Sequence, residues 1–324
     1  YGYPTSGAVA GAAPGAQGFG GFSPINQIER SRRNGSIYLD LEAQVSDRFL
    51  VGLAGRAEDY SDFGSTVNGK LSARYDVADW LALRGTASTG FRAPSLQQQY
   101  FTQIAQVVTN GVPIQTGTYP STDPVAVRLG GLPLDSEKST NLSAGAVIRF
   151  GGFDLTVDAY RIHIRDQIGL SENIAAGTIG TPGYNPAVAA LLPTGVQAAR
   201  FFLNGLASTT KGIDAVAHYR LRTAGAGAFD LTVAGNVNDV RVTRVPTSTA
   251  TLNPAPTLFA RSRILSLEDG TPQHKVTGTI DWSLDRVGAL ARVTYYGNVN
   301  QPGTTPAADV FTGDHAVTDF ELRY

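Results

Sequence analysis

The residues with the most obvious chemical potential in this sequence are its four histidines, which could bind a metal or transfer protons. None of His163, His218, His274 and His315 lies at metal-ligand spacing from another, because they fall on separate predicted strands or at strand ends. His163 has carboxylates near it in RIHIRD, but a titrating surface or lumen histidine is the commoner situation. The sequence contains no Cys, which excludes disulfides, thiolate nucleophiles and thiolate zinc sites. We therefore predict neither a metal nor a cofactor.

Two further candidates for catalysis are Ser95 and the carboxylate pair Asp154 and Asp158. Ser95, in RAPS, lacks the GxSxG context of a hydrolase nucleophile. Asp154 and Asp158 share one face of a predicted strand, but Arg149 and Arg165 are close in sequence and favour a solvated ion network. Since no catalytic set emerges, we predict that the chain is not an enzyme.

The elements that position these residues are long alternating strands, clearest in the stretch 66–95. Apolar and polar residues alternate with a period of two over 67–77 and again over 81–91, with Tyr75 and Phe91 at the ends of the apolar face. Each strand has about ten residues, which is the length that crosses a bilayer at a tilt. The pattern predicts a transmembrane barrel hairpin with its apolar face toward lipid and its polar face toward a wet lumen.

The rest of the chain repeats this pattern, giving an all-β, membrane-spanning antiparallel β-barrel portion of about eleven strands. The other strands are predicted at 37–44, 49–59, 139–150, 153–168, 212–221, 229–240, 275–284, 289–297 and 317–324. Very short connections alternate with long ones, such as 93–136 and 246–272, as periplasmic turns and extracellular loops do in outer-membrane barrels. The apolar parity changes near Tyr160, so we expect a bulge or an emergence from the membrane there. A short helix is predicted at 186–192.

Composition fits this interpretation. Charged residues make up 16% of the chain, below the roughly 25% of soluble domains. No apolar run reaches the ~18 residues of a membrane helix. Residues 1–34 are Gly/Ala/Pro-rich and are predicted to form a flexible extracellular loop, with a partial transmembrane barrel over 35–324. The chain has no Met, so we expect it to be a segment of a longer protein.

Four motifs, in order, carry a resemblance to a known family: GFRAPS at 90–95, EKSTNLSAG at 137–145, DAYRIHIRDQI at 158–168 and TKGID at 210–214. This series resembles the C-terminal barrel half of TonB-dependent outer-membrane receptors. The resemblance implies a barrel of about 22 strands, of which this chain would lack the plug domain and the final strands. It also implies a bacterial outer-membrane location and uptake of a scarce nutrient, such as an iron–siderophore, cobalamin or a carbohydrate. The energy would come from a TonB partner acting through the plug and a TonB box.

Charges that keep to the polar face are the most informative group, because a charge on the lipid face near the midplane would cost about 2–4 kcal/mol. We expect them to form ladders that hold the wall and dock a plug; the functional alternative is that they face the permeating ligand. These lumen-facing candidates are Arg56, Glu58, Lys70, Arg74, Arg84, Asp214 and Arg220.

The long loop after the second hairpin supplies the candidates for ligand contact. Its amide and aromatic side chains suit hydrogen bonding and stacking on a sugar or a siderophore. Packing of this loop against its neighbours remains an equal alternative. The candidates are Arg92, Gln97, Gln98, Gln99, Tyr100 and Phe101.

The expected partners are TonB, a nutrient ligand and the lipid bilayer. A net charge of −1 argues against nucleic-acid binding. A passive porin-like channel or a surface adhesin barrel is the leading alternative function. A soluble β-rich binding or repeat protein is the third, which the lack of a fixed repeat period weakens.

Overall fold

The computed structural model describes residues 26–109, 112–177, 179–180, 184–246, 252 and 255–324. Residues 1–25, most of the predicted N-terminal loop, lie outside the described residues. The strands are β1 Asn34–Ser46, β2 Phe49–Tyr60, β3 Gly64–Ala78, β4 Leu81–Arg92, β5 Gln103–Thr109, β6 Val112–Tyr119, β7 Glu137–Phe150, β8 Phe153–Leu170, β9 Ile174–Ala175, β10 Ala198–Thr223, β11 Gly227–Arg244, β12 His274–Leu284, β13 Val287–Tyr296, β14 Asn300–Gln301, β15 Val310–Phe311 and β16 His315–Arg323. The helices are α1 Leu96–Tyr100, α2 Pro124–Arg128, α3 Pro186–Leu191 and α4 Arg261–Asp269.

A single sheet of 14 strands dominates the described part of the chain, which confirms the all-β, antiparallel prediction. Eleven of these strands form one path, in the order β1-β2-β3-β4-β7-β8-β10-β11-β12-β13-β16. All eleven cover the predicted strand positions, and each pairs antiparallel with the next. We call this path the wall. Within the described residues the wall is not closed on itself, and β1 and β16 are its edges.

The wall follows from the two-residue period of the sequence. In the predicted hairpin, Leu71 of β3 pairs with Leu53 of β2 and Ala87 of β4, so the apolar residues of three strands share one face. Turns of two or three residues join the wall strands at one end, and all the long connections lie at the other, together with the three-residue turn 61–63 between β2 and β3. This is the arrangement that the alternation of short and long connections predicts.

Aromatic side chains gather on the wall near the short turns. Phe49 contacts Tyr75 with ring centroids 6.3 Å apart, and Phe150 contacts Phe153 at 5.9 Å. Tyr219 pairs with Phe153 in the register, which continues the row along β10. Such a girdle is typical of the interfacial level of membrane barrels. None of the helices in the described part of the chain has the length and hydropathy to cross a membrane.

The long connections are more structured than the sequence predicts. The predicted loop 93–136 contains α1, the hairpin β5–β6 and α2, and the predicted loop 246–272 contains α4. Strand β10 begins at Ala198, well before the predicted start at residue 212, and its first residues pair in parallel with β6. The predicted helix at 186–192 is confirmed as α3.

Of the two alternatives for Tyr160, the bulge is wrong, and an emergence from the membrane stays a prediction. Pairing of β8 with both neighbours is continuous through that residue, and the register instead shifts where Gln167 meets Leu206. Asp166 has φ 55° and Gly205 has φ 134°, so the irregularity lies at this joint between the wall and the loops. A left-handed φ costs Gly205 little because it has no Cβ.

The hydrophobic core lies in the long connections, not in the wall. The loops after β4, β8 and β11 pack on the first residues of β10, and we call this unit the loop assembly. Its core includes Tyr119, Leu129, Ile174, Val188, Phe201, Leu206, Leu258 and Phe259. Phe201 and Leu129 are completely buried. The wall therefore leaves its apolar side chains exposed, whereas the loop assembly buries its own.

Candidate functional site

The strand register divides the wall into an apolar face and a polar face. Directly paired residues lie on the same side of a sheet, and one row runs through Arg74, Arg84, Gly145, Asp158 and Asp214. The same register places all seven lumen-facing candidates on the polar face. On the opposite face, Ile37, Val67, Ile213 and Val237 are between 53% and 77% exposed. That these seven residues act on a ligand stays a prediction.

Most charges on the polar face are paired with each other. Arg56 bonds Glu58, whose other oxygen accepts a 2.6 Å hydrogen bond from the Tyr60 hydroxyl. Arg74 lies 2.9 Å from Asp76 on the same strand. Asp214 accepts a hydrogen bond from the Asn236 amide. These pairs support the structural role, because a paired charge costs less to keep on a partly dry wall. Among the described residues, Lys70 is a polar-face cation without an ion pair.

One ion pair crosses a whole strand. The Arg84 guanidinium of β4 donates from Nε to Asp158 Oδ1 of β8 at 2.8 Å, passing over β7. Gly145 lies between them in the row, and a Cβ built there would clash with Asp158 Oδ1. Glycine is therefore required for this contact.

The carboxylate pair considered for catalysis belongs to such networks, but the inclusion of Arg165 was wrong, because the register places Arg165 on the opposite face of the sheet. Asp154 lies 3.4 Å from Arg149 and 3.9 Å from His218 Nδ1, while Asp158 is held by Arg84. The other nitrogen of His218 lies 3.1 Å from Asp230, which also accepts a 2.9 Å bond from Arg220. No group of three or more potential ligands in the described residues has the arrangement of a metal site.

The polar face ends, near the short turns, in a recess of about 450 Å³. It is lined by polar-face charges and the hairpin turns, among them Arg48, Arg74, Asp76 and Arg149. Its charged lining makes it suited to contact with another polar surface.

The six ligand-loop candidates lie together around α1, but four of them are engaged within the chain. Arg92 forms a bidentate pair with the buried Glu137, and Gln98 completes a capping box with Ser95 at the start of α1. Gln99 Nε2 donates to Asp62 at 2.7 Å, and Tyr100 lies under the Arg30 guanidinium. Gln97 and Phe101 are exposed. The packing alternative therefore describes Arg92, Gln98, Gln99 and Tyr100.

Asp62 is the centre of this packing. Arg32 contacts it with both Nε and Nη2, at 3.0 and 2.7 Å, while its guanidinium stacks over Tyr60 and Phe63. Burial alone would raise the pKa of Asp62, but the hydrogen bonds from Arg32 and Gln99 outweigh it and hold the pKa below its ordinary value. Arg32 thus ties the segment before β1 to the loop that carries α1.

Arg200 is the most unusual charge in the loop assembly. It lies on the part of β10 that pairs with β6, and its Nε donates to Thr118 Oγ1 at 2.9 Å. Burial lowers the pKa of Arg200 and the nearby Arg263 lowers it further, while Glu172 opposes them. Glu172 Oε1, however, accepts from Arg263 Nε at 2.9 Å. Arg200 is therefore a half-buried cation whose nearest acid already has a partner.

A second ion pair fixes another long loop. Arg261, at the start of α4, forms a bidentate bond with Asp309 at 2.9 and 2.6 Å. The Arg261 hydrogen bonds and the Gly303 N–H lower the pKa of Asp309 to about 2. This pair joins the connections on either side of the hairpin β12–β13.

Sequence reasoning missed Arg32, Asp62, Arg200 and Arg261, because they lie in segments that the sequence predicts as long connections without a period. Glu137 was visible only as the first letter of a motif. The signal that could have found them is a charged residue among apolar loop residues, since such a residue needs a partner when the loop packs.

The chain matches the family model described as "TonB dependent receptor-like, beta-barrel" over residues 1–324. It is 25% identical over 158 residues to the ferric enterobactin receptor PirA of Pseudomonas aeruginosa, covering 48% of this chain and 20% of that protein. A mutant of the ferric enterobactin receptor PfeA of P. aeruginosa superposes with a TM-score of 0.60 at 14% identity, covering 89% of this chain and 37% of the other. The siderophore receptor PirA of Acinetobacter baumannii gives the same TM-score and identity, covering 92% and 41%. The chain thus spans less than half the length of these relatives.

Proposed function

The chain belongs to the TonB-dependent receptor family, whose β-barrel it matches over its whole length, and we propose that it forms the wall and outer loops of a receptor that takes up a ferric siderophore. One observation carries the proposal. The same eleven strands present an exposed apolar face and an ion-paired polar face, and a packed loop assembly covers their long-loop end.

The apolar face supports a place in the bacterial outer membrane. Its exposed Val, Ile and Leu side chains would be a large unfavourable surface in water, and lipid removes that cost. The girdle near the short turns would then lie at the periplasmic interface and the loop assembly outside the cell. We assign residues 35–324 to the transmembrane wall with its loops and residues 1–34 to an extracellular loop. By family membership, the wall would be part of a barrel of about 22 strands.

The loop assembly supports an anionic ligand. Arg200 is half-buried with a neutral hydrogen-bond partner, so a negatively charged group would relieve the cost of its burial. Siderophore complexes of the catecholate type present such charge on iron-bound oxygens. Gln97 and Phe101, exposed at α1, would add a hydrogen bond and a stacking surface.

The polar face would form the path below the loops. Lys70 has no ion pair there and would be free to contact the ligand, while the paired charges would hold the wall in shape. The charged recess near the short turns would contact a plug domain. A TonB partner would act on that plug and supply the energy for uptake.

Whole-cell uptake of radiolabelled iron by the protein expressed from its full gene tests the proposal. Cells with TonB should accumulate ferric enterobactin, and cells without TonB should not. Uptake that persists without TonB would indicate a passive channel, and binding without uptake would indicate an adhesin. Labelled cobalamin and a labelled oligosaccharide, run in the same cells, test the other nutrient classes.

A variant pair tests the role of Arg200. Losing a charged hydrogen bond of about 1.5–3 kcal/mol predicts that Arg200→Gln weakens siderophore binding about 10- to 100-fold. Arg128→Gln is the matched control, since Arg128 is an exposed arginine at the end of α2 in the same loop assembly. Equal affinities of the two variants at equal surface abundance would contradict the assignment.

A further inference from the structure

On four neighbouring strands, the side of the wall that is apolar near the short turns carries basic residues toward the long loops. One cross-strand row holds Ala159 and Ile213, and the next row toward the loops holds Arg161 and Lys211. The register puts five Lys or Arg residues on this face of the wall, two near the middle of β8 and β10 and three nearer the long loops on β7, β8 and β11. We call them the basic rim: Lys138, Arg161, Arg165, Lys211 and Arg241.

The basic rim places like charges directly opposite each other. Arg161 pairs with Lys211 across β8 and β10, and Lys138 pairs with Arg165 across β7 and β8. Directly opposed residues have Cβ atoms about 5 Å apart, so like charges in these positions repel each other. Between the two pairs lies His163, whose Nδ1 is 3.0 Å from Thr209 Oγ1.

Acidic residues balance this charge only in part, since Asp239 lies on the same face directly opposite Lys211 in the register. Lys138 lies 3.6 Å from Asp135, and Arg241 lies 3.0 Å from Asp239. The remaining three basic residues are exposed and form no ion pair within the described residues: Arg161, Arg165 and Lys211. On the polar face, in contrast, arginine is usually paired with a carboxylate. The basic rim therefore has an excess of positive charge that the protein itself leaves unpaired.

We propose that the basic rim binds phosphate groups on lipid headgroups of the leaflet that the long loops face. Arginine forks match phosphate geometry and lysine adds charge, so each opposed pair can share one phosphate and lose its repulsion. Arg161 lies two residues beyond Ala159, about 7 Å along the strand, which is the reach over which long basic side chains extend from apolar surface to headgroups. This inference rests on the proposed membrane location, but not on the proposed siderophore.

The position of the rim favours a lipid over a soluble anion. It is continuous with the exposed apolar residues Ile213 and Val237, so a headgroup bound there would keep its acyl chains on the apolar face. The rim also occupies one side of the wall. On the apolar face of the described strands β1–β4, the register places no Lys or Arg. A bound phospholipid or phosphorylated glycolipid would thus mark this side alone.

Lipid retention by the protein expressed from its full gene, purified in neutral detergent, tests the proposal. The protein is mixed with micelles of the same neutral detergent that contain phosphatidylcholine with or without phosphatidate, and bound lipid is counted by native mass spectrometry. The variants are Arg161→Gln with Lys211→Gln, and Lys138→Gln with Arg165→Gln. The control is Arg222→Gln with Arg286→Gln, which removes two exposed charges at the short-turn end.

Phosphatidate should be retained in preference to phosphatidylcholine, and each rim variant should lose about 10-fold or more of that preference while the control keeps it. The rim variants should also unfold at a higher temperature than the unmodified protein in neutral detergent, because the like-charge repulsion is gone. Equal retention by rim and control variants would overturn the proposal. Displacement of the lipid by millimolar inorganic phosphate would overturn it as well and indicate a soluble anion. Siderophore uptake, measured separately, can fail without affecting these results.

Discussion

A charge placed on the apolar face of the wall should lower the stability of the protein far more than a charge placed on the polar face. Leu71, 53% exposed at the centre of β3, lies on the apolar face, four residues from Tyr75 of the aromatic girdle. At about 3.3 Å per residue this is about 13 Å along the strand, and a tilt of about 40° makes it about 10 Å of depth. Since the apolar band of such barrels is about 25 Å tall, Leu71 lies near the bilayer midplane.

Leu71→Arg should therefore lower the free energy of unfolding in phospholipid vesicles by about 2–4 kcal/mol. The neighbouring change Ser72→Arg should cost far less, because Ser72 lies on the polar face opposite Gly52, where a long side chain has room. Val77→Arg, on the apolar face but next to the short turn, should cost about 0–1 kcal/mol because the charge reaches the interface.

Reversible unfolding in guanidinium, followed by tryptophan fluorescence in vesicles, measures all three values. If the loss of stability decreases in the order Leu71→Arg, Val77→Arg, Ser72→Arg, it depends both on the face of the sheet and on the depth in the bilayer, as expected for a face that contacts lipid. If Leu71→Arg and Ser72→Arg cost the same, or if Leu71→Arg costs under about 1 kcal/mol, this face does not contact lipid.

Three other predictions concern contacts at and above the wall. Arg92→Ala should destabilise the protein by about 1–3 kcal/mol in the same unfolding assay, because it leaves the buried Glu137 without its cation. Asp309 has a pKa of about 2, below its ordinary value, so its bond to Arg261 contributes stability above the ordinary carboxyl pKa and loses it as the pH falls through about 2. Pepsin cleavage of the loop that carries Asp309 should accordingly rise from pH 4 to pH 2, and the change Asp309→Asn should make cleavage high throughout. Gly145→Val should break the ion pair that crosses β7 and lower the unfolding midpoint.

Each of these predictions has an outcome that contradicts it. Glu137→Gln with Arg92→Ala should recover part of the loss, and an additive double variant would mean that the pair is not coupled. If pepsin cleaves the loop of the unmodified protein equally at pH 4 and pH 2, the ion pair between Asp309 and Arg261 does not hold this loop in place. Gly145→Ala already places a Cβ against Asp158, so an unchanged midpoint there would contradict the close approach.

The wall could be predicted from the sequence because each of its strands shows the alternation of apolar and polar residues within its own segment. In β3, the type of each residue from Val67 to Val77 indicates the face on which it lies, and no contact with a distant residue is needed to assign that face. Arg165, expected beside Asp154 and Asp158, lies on the apolar face instead, whereas the face of Arg84 followed from the same alternation. Its partner did not, because Arg84 and Asp158 are 74 residues apart and meet only through the register.

The loop assembly could not be predicted because it depends on contacts between residues that are far apart in the sequence. Strand β6 is held by parallel pairing with β10, and its Tyr119 packs in a core with Phe201. Neither strand shows this partner in its own sequence. The joint at Asp166 and Gly205 was missed for the same reason, since the sequence near Tyr160 changed parity without a change of register.

The pairing of β6 with β10 has a consequence for the order of folding. Thr118 and Arg200 are bonded although 82 residues separate them, and the wall hairpin β7–β8 lies in the chain between them. Closing so long a segment costs chain entropy that only nearby, already formed structure can offset. We therefore expect the hairpin β7–β8 to form before β6 meets β10. In the proposed membrane location the loop assembly would then form last, and its formation would report that β7 and β8 have crossed.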